Sequence, residues 1–518
     1  MKKKTIYWIG WIICILFLGV IVFLPMLKPG FLVTDDGDWM VIRLSAFYQS
    51  LREGQFPVRF LGRLNQSYGY PVANFLYPGF LYIGSLIHIL GVSFSSSVEI
   101  IQMGSVVIGA IALFLWLKKF FGTTASGVGA ISFLFMPYLL YDVFKRGSVG
   151  EVLAIGMSMV VLYAIESKYQ WLLTPAVAIL AIAHNTLALF FLPLFALYIV
   201  IKKYWKLIPA FLIGVGITSF FWFPVYFERN VVLFNNVVIS HPGDFFPVSN
   251  ALILQSLPFL IAAGVIVFSK TKKYKKEQWF FLFLLGVGLF FATKASGFLW
   301  RIPNFVKFVQ FPYRWLSLWV FAGPWFLAYF VNEGRKLTKQ LVTVLFIGIF
   351  ITLWVPYLKS DSIVRNEGFF TTNEGTTTVA DEYMPIWVSE KMDTRAAEKI
   401  EFYSGAGDIQ IRKLTTQTID VDIDASEVSI MLINTVYYPG WGAMLDNVQV
   451  PIIHDNSKGL MRINVPAGKH HLFMEFRETG GRFIADVLSL TFGVIYVISL
   501  VAMCVIPKKN ETKQTKRK

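Results

Sequence analysis

The sequence has little charge for its length. Asp, Glu, Lys and Arg make up 15% of the 518 residues, whereas hydrophobic residues make up 55%. Soluble globular proteins carry roughly 25% charged residues, so this composition argues against one. It also argues against a disordered chain and a nucleic-acid-binding module, because the excess of basic residues does not lie within a polar chain. We therefore expect no nucleic-acid partner.

Cysteine and the common motifs of soluble enzymes are scarce too. Only Cys14 and Cys504 are present, both in apolar runs near the ends. Such a pair is no disulfide framework and does not indicate a redox compartment. Zinc-binding Cys/His spacings, a Walker loop, and the G-x-G-x-x-G and G-x-S-x-G motifs do not occur in the sequence. None of these chemistries is predicted.

Long apolar runs, by contrast, are abundant. A helix needs about 20 apolar residues to cross a bilayer, and about thirteen apolar segments are present. The first follows three lysines but is too long, and lacks the small-residue cleavage site, for a signal peptide, so we expect it to remain as a transmembrane helix. The segments lie near residues 5–27, 73–92, 98–117, 124–141, 148–165, 171–184, 186–201, 207–226, 251–269, 277–293, 314–332, 338–356 and 484–506.

The basic clusters between these segments predict the topology, since Lys and Arg favour the cytoplasmic side. All the clusters can be cytoplasmic only if the number of crossings is even, so one segment should not cross. We predict that the segment that does not cross is 73–92, because Pro78 and Gly79 are poor residues for a helix interior. The loops at 28–72 and 357–483 then face the outside.

A polar block interrupts the apolar segments. Residues 357–483 contain 18 acidic and 12 basic residues, a net charge of −6, and the remainder contains 14 acidic and 35 basic, a net charge of +21. Short runs rich in β-branched residues, at 409–412, 418–423, 428–434, 448–453, 460–465 and 470–476, are separated by turn signals and predict an antiparallel sandwich there. We therefore predict a polytopic α-helical membrane protein with an extracytoplasmic β-sandwich-like domain. Its predicted parts are a transmembrane domain at 1–356, the β domain at 357–483, a final transmembrane helix at 484–506 and a basic cytoplasmic tail at 507–518.

The first outer loop, residues 28–72, is the richest in candidate functional residues. Asp35, Asp36 and Asp38 place three carboxylates within four residues, and their repulsion costs stability unless something compensates. A metal ion, another cation or a catalytic role would supply the compensation. Alternatively, the loop is simply solvated, or Asp35 caps the following helix.

The same loop continues with Arg59, Tyr70 and further aromatic and turn-forming residues. Such a mixture can build a wall that stacks on sugar or binds phosphate. It can equally form an amphipathic helix in the headgroup region, where arginines meet anionic lipid. The arginines concerned are Arg43, Arg52, Arg59 and Arg63.

Two further pairs lie at predicted outer boundaries of membrane helices. Arg146 and Glu151 flank the start of one helix, and charged residues at that depth tend to be paired and functional. The alternative is a structural salt bridge. His184 and Asn185 separate two short apolar stretches. A lone histidine there is more often a hydrogen-bonded structural residue than a base.

Cations also collect in the outer loop before residue 315, against the usual cytoplasmic bias. An anionic group at the outer leaflet would explain them, because the arginine fork binds phosphate with two hydrogen bonds. The alternative is contact with anionic lipid headgroups at no specific site. The residues are Lys294, Arg301, Lys307 and Arg314, the last of which follows Gln310 in the run Gln310-Phe311-Pro312-Tyr313-Arg314-Trp315.

These motifs, taken in order, resemble a bacterial multi-spanning family labelled "6-pyruvoyl-tetrahydropterin synthase-related", which is similar to the glycosyltransferase C superfamily. The resemblance covers nearly the whole chain; each motif is weak alone, and the ordered set is fairly specific. The motifs are Asp35-Asp36-Gly37 with Arg43, Gly54 to Arg59, Gly69-Tyr70-Pro71, Phe75 to Pro78, Arg146-Gly147-Ser148 with Glu151, His184-Asn185, Gln310-Phe311-Pro312 with Arg314-Trp315, Glu382 to Pro385 and Tyr437 to Trp441.

The resemblance implies an inverting enzyme that transfers a sugar from a polyprenyl-phosphate carrier on the outer face of the membrane. It assigns the catalytic aspartate to Asp36, with Asp35 second. Many relatives have a histidine shortly after this position, where this chain has Asp38 and Trp39. Some branches use a divalent cation, which Asp35, Asp36 and Asp38 would hold here.

The expected substrate-binding residues follow from this hypothesis. Cations would stabilise the leaving phosphate, Glu151 would orient Arg146, aromatic rings would stack on sugar, and the β domain would select a surface glycan such as teichoic acid or wall polysaccharide. These residues are Asp38, Trp39, Arg59, Tyr70, Arg146, Glu151, His184, Asn185, Lys307, Gln310 and Arg314. The alternatives are a transporter or flippase of lipid-linked sugar and a non-catalytic scaffold that binds wall polymer.

Overall fold

The computed structural model describes residues 2–235, 241–268, 274–333 and 336–505, so the predicted tail at 507–518 lies outside the described residues. Each of the thirteen apolar segments coincides with at least one helix. The α-helices are α1 (Lys2–Val22), α2 (Gly37–Arg52), α3 (Gly79–Ile89), α4 (Phe94–Leu117), α5 (Thr123–Leu134), α6 (Pro137–Tyr141), α7 (Val149–Ser167), α8 (Gln170–Ala183), α9 (Asn185–Lys202), α10 (Ile208–Ile217), α11 (Ser219–Glu228), α12 (Phe246–Gln255), α13 (Leu257–Phe268), α14 (Lys275–Ala292), α15 (Pro303–Val309), α16 (Trp319–Glu333), α17 (Lys336–Trp354), α18 (Glu367–Thr371) and α19 (Gly480–Val505).

The helices make this a multi-pass membrane protein. Within the described residues, five helical stretches are long and apolar enough to cross a bilayer, and two bent pairs raise the count to seven if each pair forms one span. This count is lower than the number of apolar segments, because several of those segments form shorter or broken helices. The five are Phe94–Leu117, Thr123–Arg146, Val149–Ser167, Asn185–Lys202 and Gly480–Val505, and the pairs are α10 with α11 and α12 with α13.

Segment 73–92 forms only the short helix α3. Its 11 residues extend about 16 Å at 1.5 Å per residue, which is well short of a hydrocarbon core of ~30 Å. A one-turn 3-10 helix over Pro71–Asn74 precedes it, and Pro78 caps its start. That the segment does not cross the membrane stays a prediction.

Helix α7 is largely buried within the helical region. It packs closely against α4, where a Cβ on Gly156 would lie 2.3 Å from the carbonyl oxygen of Ser105. Glycine therefore permits a backbone approach at this crossing that no larger residue would allow. The close packing fixes the position of α7, and with it the side chain of Glu151 in the first turn.

The polar block is rich in β-structure, and all its strand pairs are antiparallel. One sheet has five strands in the order β4-β5-β10-β7-β8, and another has three in the order β3-β6-β9. The sandwich arrangement of the sheets stays a prediction. The strands are β1 (Phe31–Leu32), β2 (Ser362–Ile363), β3 (Ile400–Ser404), β4 (Gly407–Leu414), β5 (Thr418–Ala425), β6 (Ser429–Val436), β7 (Trp441–Leu445), β8 (Val448–Val450), β9 (Leu460–Val465) and β10 (Gly468–Phe476).

The main strands begin only at Ile400, so the first forty or so residues of the predicted β domain, 357–399, have another role. This stretch is mostly irregular and packs on the first outer loop. Strand β2 pairs with β1 of that loop, and Arg43 Nη2 donates to the carbonyl oxygen of Thr377 at 2.5 Å. The first outer loop is thus held between the helices and the β-rich region.

Candidate active site

The start of the first outer loop is fixed to the turn before α7 by backbone hydrogen bonds. The N–H of Asp35 donates to the carbonyl oxygen of Lys145 at 2.9 Å, and the N–H of Asp36 donates to that of Arg146 at 2.8 Å. The turn ends at Gly147, whose φ of 70° is left-handed. A Cβ on Gly147 would lie 2.1 Å from Thr34 Oγ1, so glycine is required both by the backbone angle and by the approach of the loop.

Replacing Gly147 therefore tests whether this docking matters. We expect Gly147→Ala to lower the activity of this site by roughly tenfold or more, because the methyl group would clash with Thr34 and move the loop that carries Asp36 away from Arg146. Gly91→Ala is the matched control, since Gly91 also has a positive φ (91°) but a Cβ there would meet nothing within 4 Å. A left-handed alanine costs about 1–2 kcal/mol in both variants. Equal activity of the two variants, at matched amounts of folded protein, would contradict the role of this contact between the loop and the turn.

Asp36 and Arg146 meet in a cluster of buried charges. Arg146 Nη2 donates to Asp36 Oδ2 at 3.4 Å, and Nη1 donates to Asp142 Oδ1 at 3.2 Å. Nη1 also donates to Glu151 Oε1. Asp142 and Glu151 are fully buried, whereas the Asp36 side chain is 27% exposed. One guanidinium thus joins three carboxylates, of which only Asp36 is open to a substrate.

Arg314 joins the same cluster, although it lies 163 residues after Glu151 in the sequence. Its Nε donates to Glu151 Oε1 at 2.9 Å, and its Nη1 donates to Gln310 Oε1 at 2.5 Å and to the carbonyl oxygen of Val309 at 3.1 Å. Gln310 has a φ of 65°, which turns the chain sharply between α15 and the 3-10 helix Pro312–Leu318 that carries Arg314. Glu151 therefore holds two arginines together, and these five groups, Asp36, Asp142, Arg146, Glu151 and Arg314, form what we call the arginine–carboxylate cluster.

Neutral side chains complete the surroundings of Glu151. Tyr138 donates its hydroxyl to Glu151 Oε2 at 2.5 Å, and His184 Nε2 lies 3.6 Å from Oε1. His184 Nδ1 accepts from the N–H of Leu187 at 3.4 Å, which caps α9 and leaves Nε2 to carry the proton. Asn185 donates to the carbonyl oxygen of Phe75 at 2.9 Å, and its Oδ1 is buried without a partner among the described residues. His184 is thus a neighbour of the cluster rather than its base.

The electrostatic environment of Asp36 suits proton transfer. Burial raises the pKa of its carboxyl above the ordinary value, and the nearby positive charges of Arg146, Arg314 and Arg43 act in the opposite direction. A general base works best when its pKa approaches the working pH. A raised pKa makes Asp36 a stronger base than a free carboxylate.

The three aspartates of the first loop do not converge. Asp35 forms an exposed ion pair with Lys145 at 2.9 Å, and Asp38 binds Arg365 at 2.7 Å. Asp36 alone turns toward Arg146. Within the part of the chain that the structure describes, no three His, Cys, Asp or Glu residues are grouped as they would be around a metal ion. Each carboxylate is therefore compensated by its own cation, and Asp36 is separated from Asp35 as the candidate base.

Two residues expected at the site have other surroundings. Arg59 donates to Glu478 at 3.0 Å, to Asp486 at 2.8 Å and to the carbonyl oxygen of Phe220 at 2.6 Å, so it ties the first loop to α19 and α11. Tyr70 is fully buried, with its hydroxyl bonded to Thr378 and to the N–H of Tyr383. Neither side chain is free to meet a substrate in this conformation, and the expected roles in phosphate binding and sugar stacking stay predictions.

Trp39 and Lys307 stay candidates for substrate contact. Trp39 follows Asp36 by three residues on the first turn of α2 and is half-buried. Lys307 is half-buried on α15, the helix that leads into Gln310.

The structure also adds residues that the sequence analysis did not select. Asp142 lies in a one-turn π-helix, Asp142–Arg146, a distortion found often at functional sites. Its signal was available, since an aspartate within the apolar run Leu139 to Phe144 is costly unless paired. Tyr138 gave no signal, because a tyrosine in an apolar helix is ordinary.

No protein-family model and no curated protein sequence matches the chain, so the family named from its motifs is not shown. Among solved structures, the chain is similar to the arabinofuranosyltransferase AftD from Mycobacteria, with a TM-score of 0.45 and 14% identity over 67% of this chain and 27% of AftD. It is also similar to ArnT from Cupriavidus metallidurans bound to undecaprenyl phosphate, with a TM-score of 0.42 and 12% identity over 70% of this chain and 68% of ArnT. The chain spans only about a quarter of AftD. Similarities at these TM-scores do not assign a function, so the function is argued from the residues of the chain itself.

Proposed function

We propose that this chain is a membrane glycosyltransferase. It transfers a sugar from a polyprenyl-phosphate carrier to a hydroxyl group of a cell-surface glycan, on the outer face of the membrane. One observation carries the proposal: Asp36 contacts Arg146, which shares Glu151 with Arg314, although the three segments are far apart in sequence. This transfer requires a base that accepts a proton and cations that stabilise the leaving phosphate. The partly exposed Asp36, beside Arg146 and Arg314, can supply both functions.

In the proposed reaction, the Asp36 carboxylate accepts the proton of an acceptor hydroxyl. The hydroxyl oxygen attacks the anomeric carbon as the bond from that carbon to the phosphate oxygen breaks, and the electron pair leaves with the phosphate. A new glycosidic bond and a polyprenyl phosphate result. A single displacement of this kind inverts the anomeric configuration.

The leaving phosphate gains negative charge as its bond breaks, and cations placed there stabilise the transition state. Arg146 and Arg314 are the candidates, with Lys307 entering from α15. Glu151 is the positioning residue: it holds both guanidinium groups in place before a substrate arrives, so their alignment costs no reorganisation during the reaction. Phe311 and Tyr313 support Arg146, whose guanidinium carbon lies 5.5 Å from each ring centroid.

The remaining assignments concern the substrates. Trp39, close to Asp36, is proposed to stack on a sugar ring, and His184, Asn185 and Gln310 are proposed to position the donor. The acceptor is proposed to be a wall polymer such as teichoic acid or wall polysaccharide, selected by the β-rich region.

The direct test is transfer by the purified full chain in detergent. A labelled sugar on polyprenyl phosphate is mixed with a lipid-free surface-glycan fraction, and the product is isolated and its anomeric configuration determined by NMR. We expect label in the glycan, in the configuration opposite to that of the donor. A retained configuration would remove the single displacement, and a complete lack of transfer from a range of polyprenyl-phosphate sugars would remove the enzyme.

Transport of the lipid-linked sugar is the alternative function that the bent helices suggest, because transporters often form their binding sites at broken helices. The two bends here are 61° and 58°, and they lie at Thr218 and Ser256. Both hydroxyls bond to carbonyl oxygens of their own helices. Lipid scrambling in liposomes without sugar transfer would favour transport.

A further inference from the structure

Two adjoining cavities lie along the second half of α2, away from the arginine–carboxylate cluster. Their volumes are about 430 and 470 Å³, and both are lined by Gln49, Glu53, Arg63 and Thr371. The first continues to the β4–β5 turn and to Lys399, and the second continues to the turn between α3 and α4 at His88 and Phe94. We call the pair the α2 groove. Each half falls within the usual 300–1,000 Å³ range of small-ligand sites.

The lining of the α2 groove is rich in hydroxyl groups and has aromatic edges. Eight serine, threonine and tyrosine hydroxyls can accept hydrogen bonds. Four of them, Ser45, Ser67, Thr371 and Thr372, already donate to oxygen atoms of the chain, as the Gln49 amide does to Glu53. Phe60 and Trp441 lie in one half, and Tyr48 and Phe94 lie in the other. Polyhydroxylated rings with apolar faces match such a surface. The hydroxyl-bearing residues are Ser45, Tyr48, Ser67, Thr371, Thr372, Thr415, Thr416 and Thr435.

The α2 groove is also cationic within an acidic neighbourhood. Its lining contains three arginines, Arg52, Arg63 and Arg395, against two carboxylates, Glu53 and Glu374. The surrounding block of residues 357–483 carries a net charge of −6. Arginine binds phosphate and carboxylate through two parallel hydrogen bonds, so the local excess favours a ligand that carries such groups.

Lys399 supports this preference. Its Nζ donates to the carbonyl oxygens of Ser67 and Asn434 at 2.6 and 2.8 Å, and no carboxylate of the described residues forms an ion pair with it. Burial and the nearby charge of Arg395 lower the pKa of Lys399 to about 7. A bound anion would relieve the repulsion between these two cations.

The walls of the α2 groove are fixed before any ligand arrives. Glu53 Oε2 accepts from the N–H of Thr416 at 2.5 Å, and Glu374 accepts from Ser67 at 2.6 Å and from Arg395 at 3.1 Å. These bonds join the first outer loop to the β-rich region on both sides of the groove. Pre-organisation of this kind lowers the cost of binding, because few side chains need to be ordered.

The position of the groove limits the kind of ligand that could serve the active site. Asp36 caps the start of α2, and Gln49 lies thirteen residues further along the helix, about 20 Å away along its axis. A ligand that occupies the groove and also reaches Asp36 must be extended. We propose that the α2 groove binds an acidic glycan polymer, bearing phosphate or carboxylate groups, and that this polymer is the acceptor. Its identification as the acceptor rests on the proposed function, whereas its binding does not.

Binding by the full chain in detergent tests this proposal directly. A fluorescent oligogalacturonate serves as the anionic probe, and a neutral maltooligosaccharide of equal length serves as its comparison. We expect Arg52→Gln/Arg395→Gln to bind the anionic probe roughly five- to thirtyfold more weakly than the wild type. The matched control is Arg412→Gln, because Arg412 is an exposed arginine of β4, paired with Asp422, that does not line the groove. The control should bind as the wild type does.

Three results would overturn the proposal: unchanged binding by the double variant, equal binding of the neutral probe, or displacement of the anionic probe by vesicles that contain anionic lipid. The last would assign the groove to lipid headgroups. Asp36→Asn should bind the anionic probe as the wild type does. If no sugar is transferred but the probe results hold, the proposed function fails and the groove stands. If sugar is transferred but the probe results fail, the proposed function stands and the groove proposal fails.

Discussion

Asp36→Asn is expected to lower the rate of sugar transfer by roughly 10²- to 10⁴-fold, the usual contribution of a general base. The amide keeps the size of the carboxylate but cannot accept the acceptor proton. Stability should be unchanged or slightly higher, because burial raises the pKa of Asp36 and thus disfavours its ionised form in the folded protein. The measurements are the initial rate of labelled-sugar transfer and the Tm in detergent.

Asp35→Asn is the matched control for this variant. It removes a carboxylate from the adjacent position, but that carboxylate is 47% exposed and pairs with Lys145 rather than Arg146. We expect it to retain transfer within a few-fold of the wild type. A loss equal to that of Asp36→Asn would instead make Asp35 the base.

The pH profile supplies a second readout of the same residue. Transfer requires ionised Asp36, so the rate should rise with pH through a pKa above the ordinary value of an aspartate, since burial raises that pKa. Asp36→Asn should lose this rising limb. A limb that persists in the variant would belong to another group.

Glu151→Gln is expected to destabilise the protein by about 3–5 kcal/mol, the usual cost of removing one partner of a buried ion pair. Glu151 is fully buried and its Oε1 accepts from both Arg146 and Arg314. Arg146 keeps Asp36 and Asp142 as partners in the variant, so the positive charge left without a counter-charge is chiefly that of Arg314. The measurements are Tm in detergent and transfer at a matched amount of folded protein, and both should fall.

Glu166→Gln separates the loss of stability from the loss of function. Glu166 lies at the opposite end of α7, where it accepts from Tyr198 and Tyr204 and forms an ion pair with Lys202 at 3.1 Å. We expect this variant to be destabilised but to keep its rate per folded molecule.

Glu151→Gln/Arg314→Gln should recover part of the stability lost in Glu151→Gln, but not the transfer activity. A double variant that is less stable than Glu151→Gln would contradict the ion pair between Glu151 and Arg314.

The membrane character and the strand pattern could be predicted because both depend on local sequence. Apolar length alone locates the helices, and alternation with turn residues locates β4, β5, β6, β8, β9 and β10 to within a few residues. Strands β1, β2, β3 and β7 escaped prediction. None is longer than five residues, and such a strand is held by its neighbours in the sheet more than by its own residues.

The candidate site could be predicted only in part, for a related reason. The selected residues Asp36, Arg146, Glu151 and Arg314 do come together, since a charge beside an apolar helix must find a partner. Arg59 and Tyr70 looked equally suitable, but Arg59 pairs with Glu478 and Asp486, and Tyr70 is buried under residues 378–383. A single motif does not reveal which of its polar groups face a substrate.

By itself, the sequence determined that the chain must enter a membrane, that a polar β-rich block follows its helices, and that a few ionisable side chains near the helix ends need partners. Only the tertiary structure decided which partners they find: Asp35, Asp36 and Asp38 each meet a different cation, although they are neighbours in the chain. The reason is that hydrophobicity and strand propensity are local and additive, whereas the pairing of buried charges depends on contacts between segments more than a hundred residues apart.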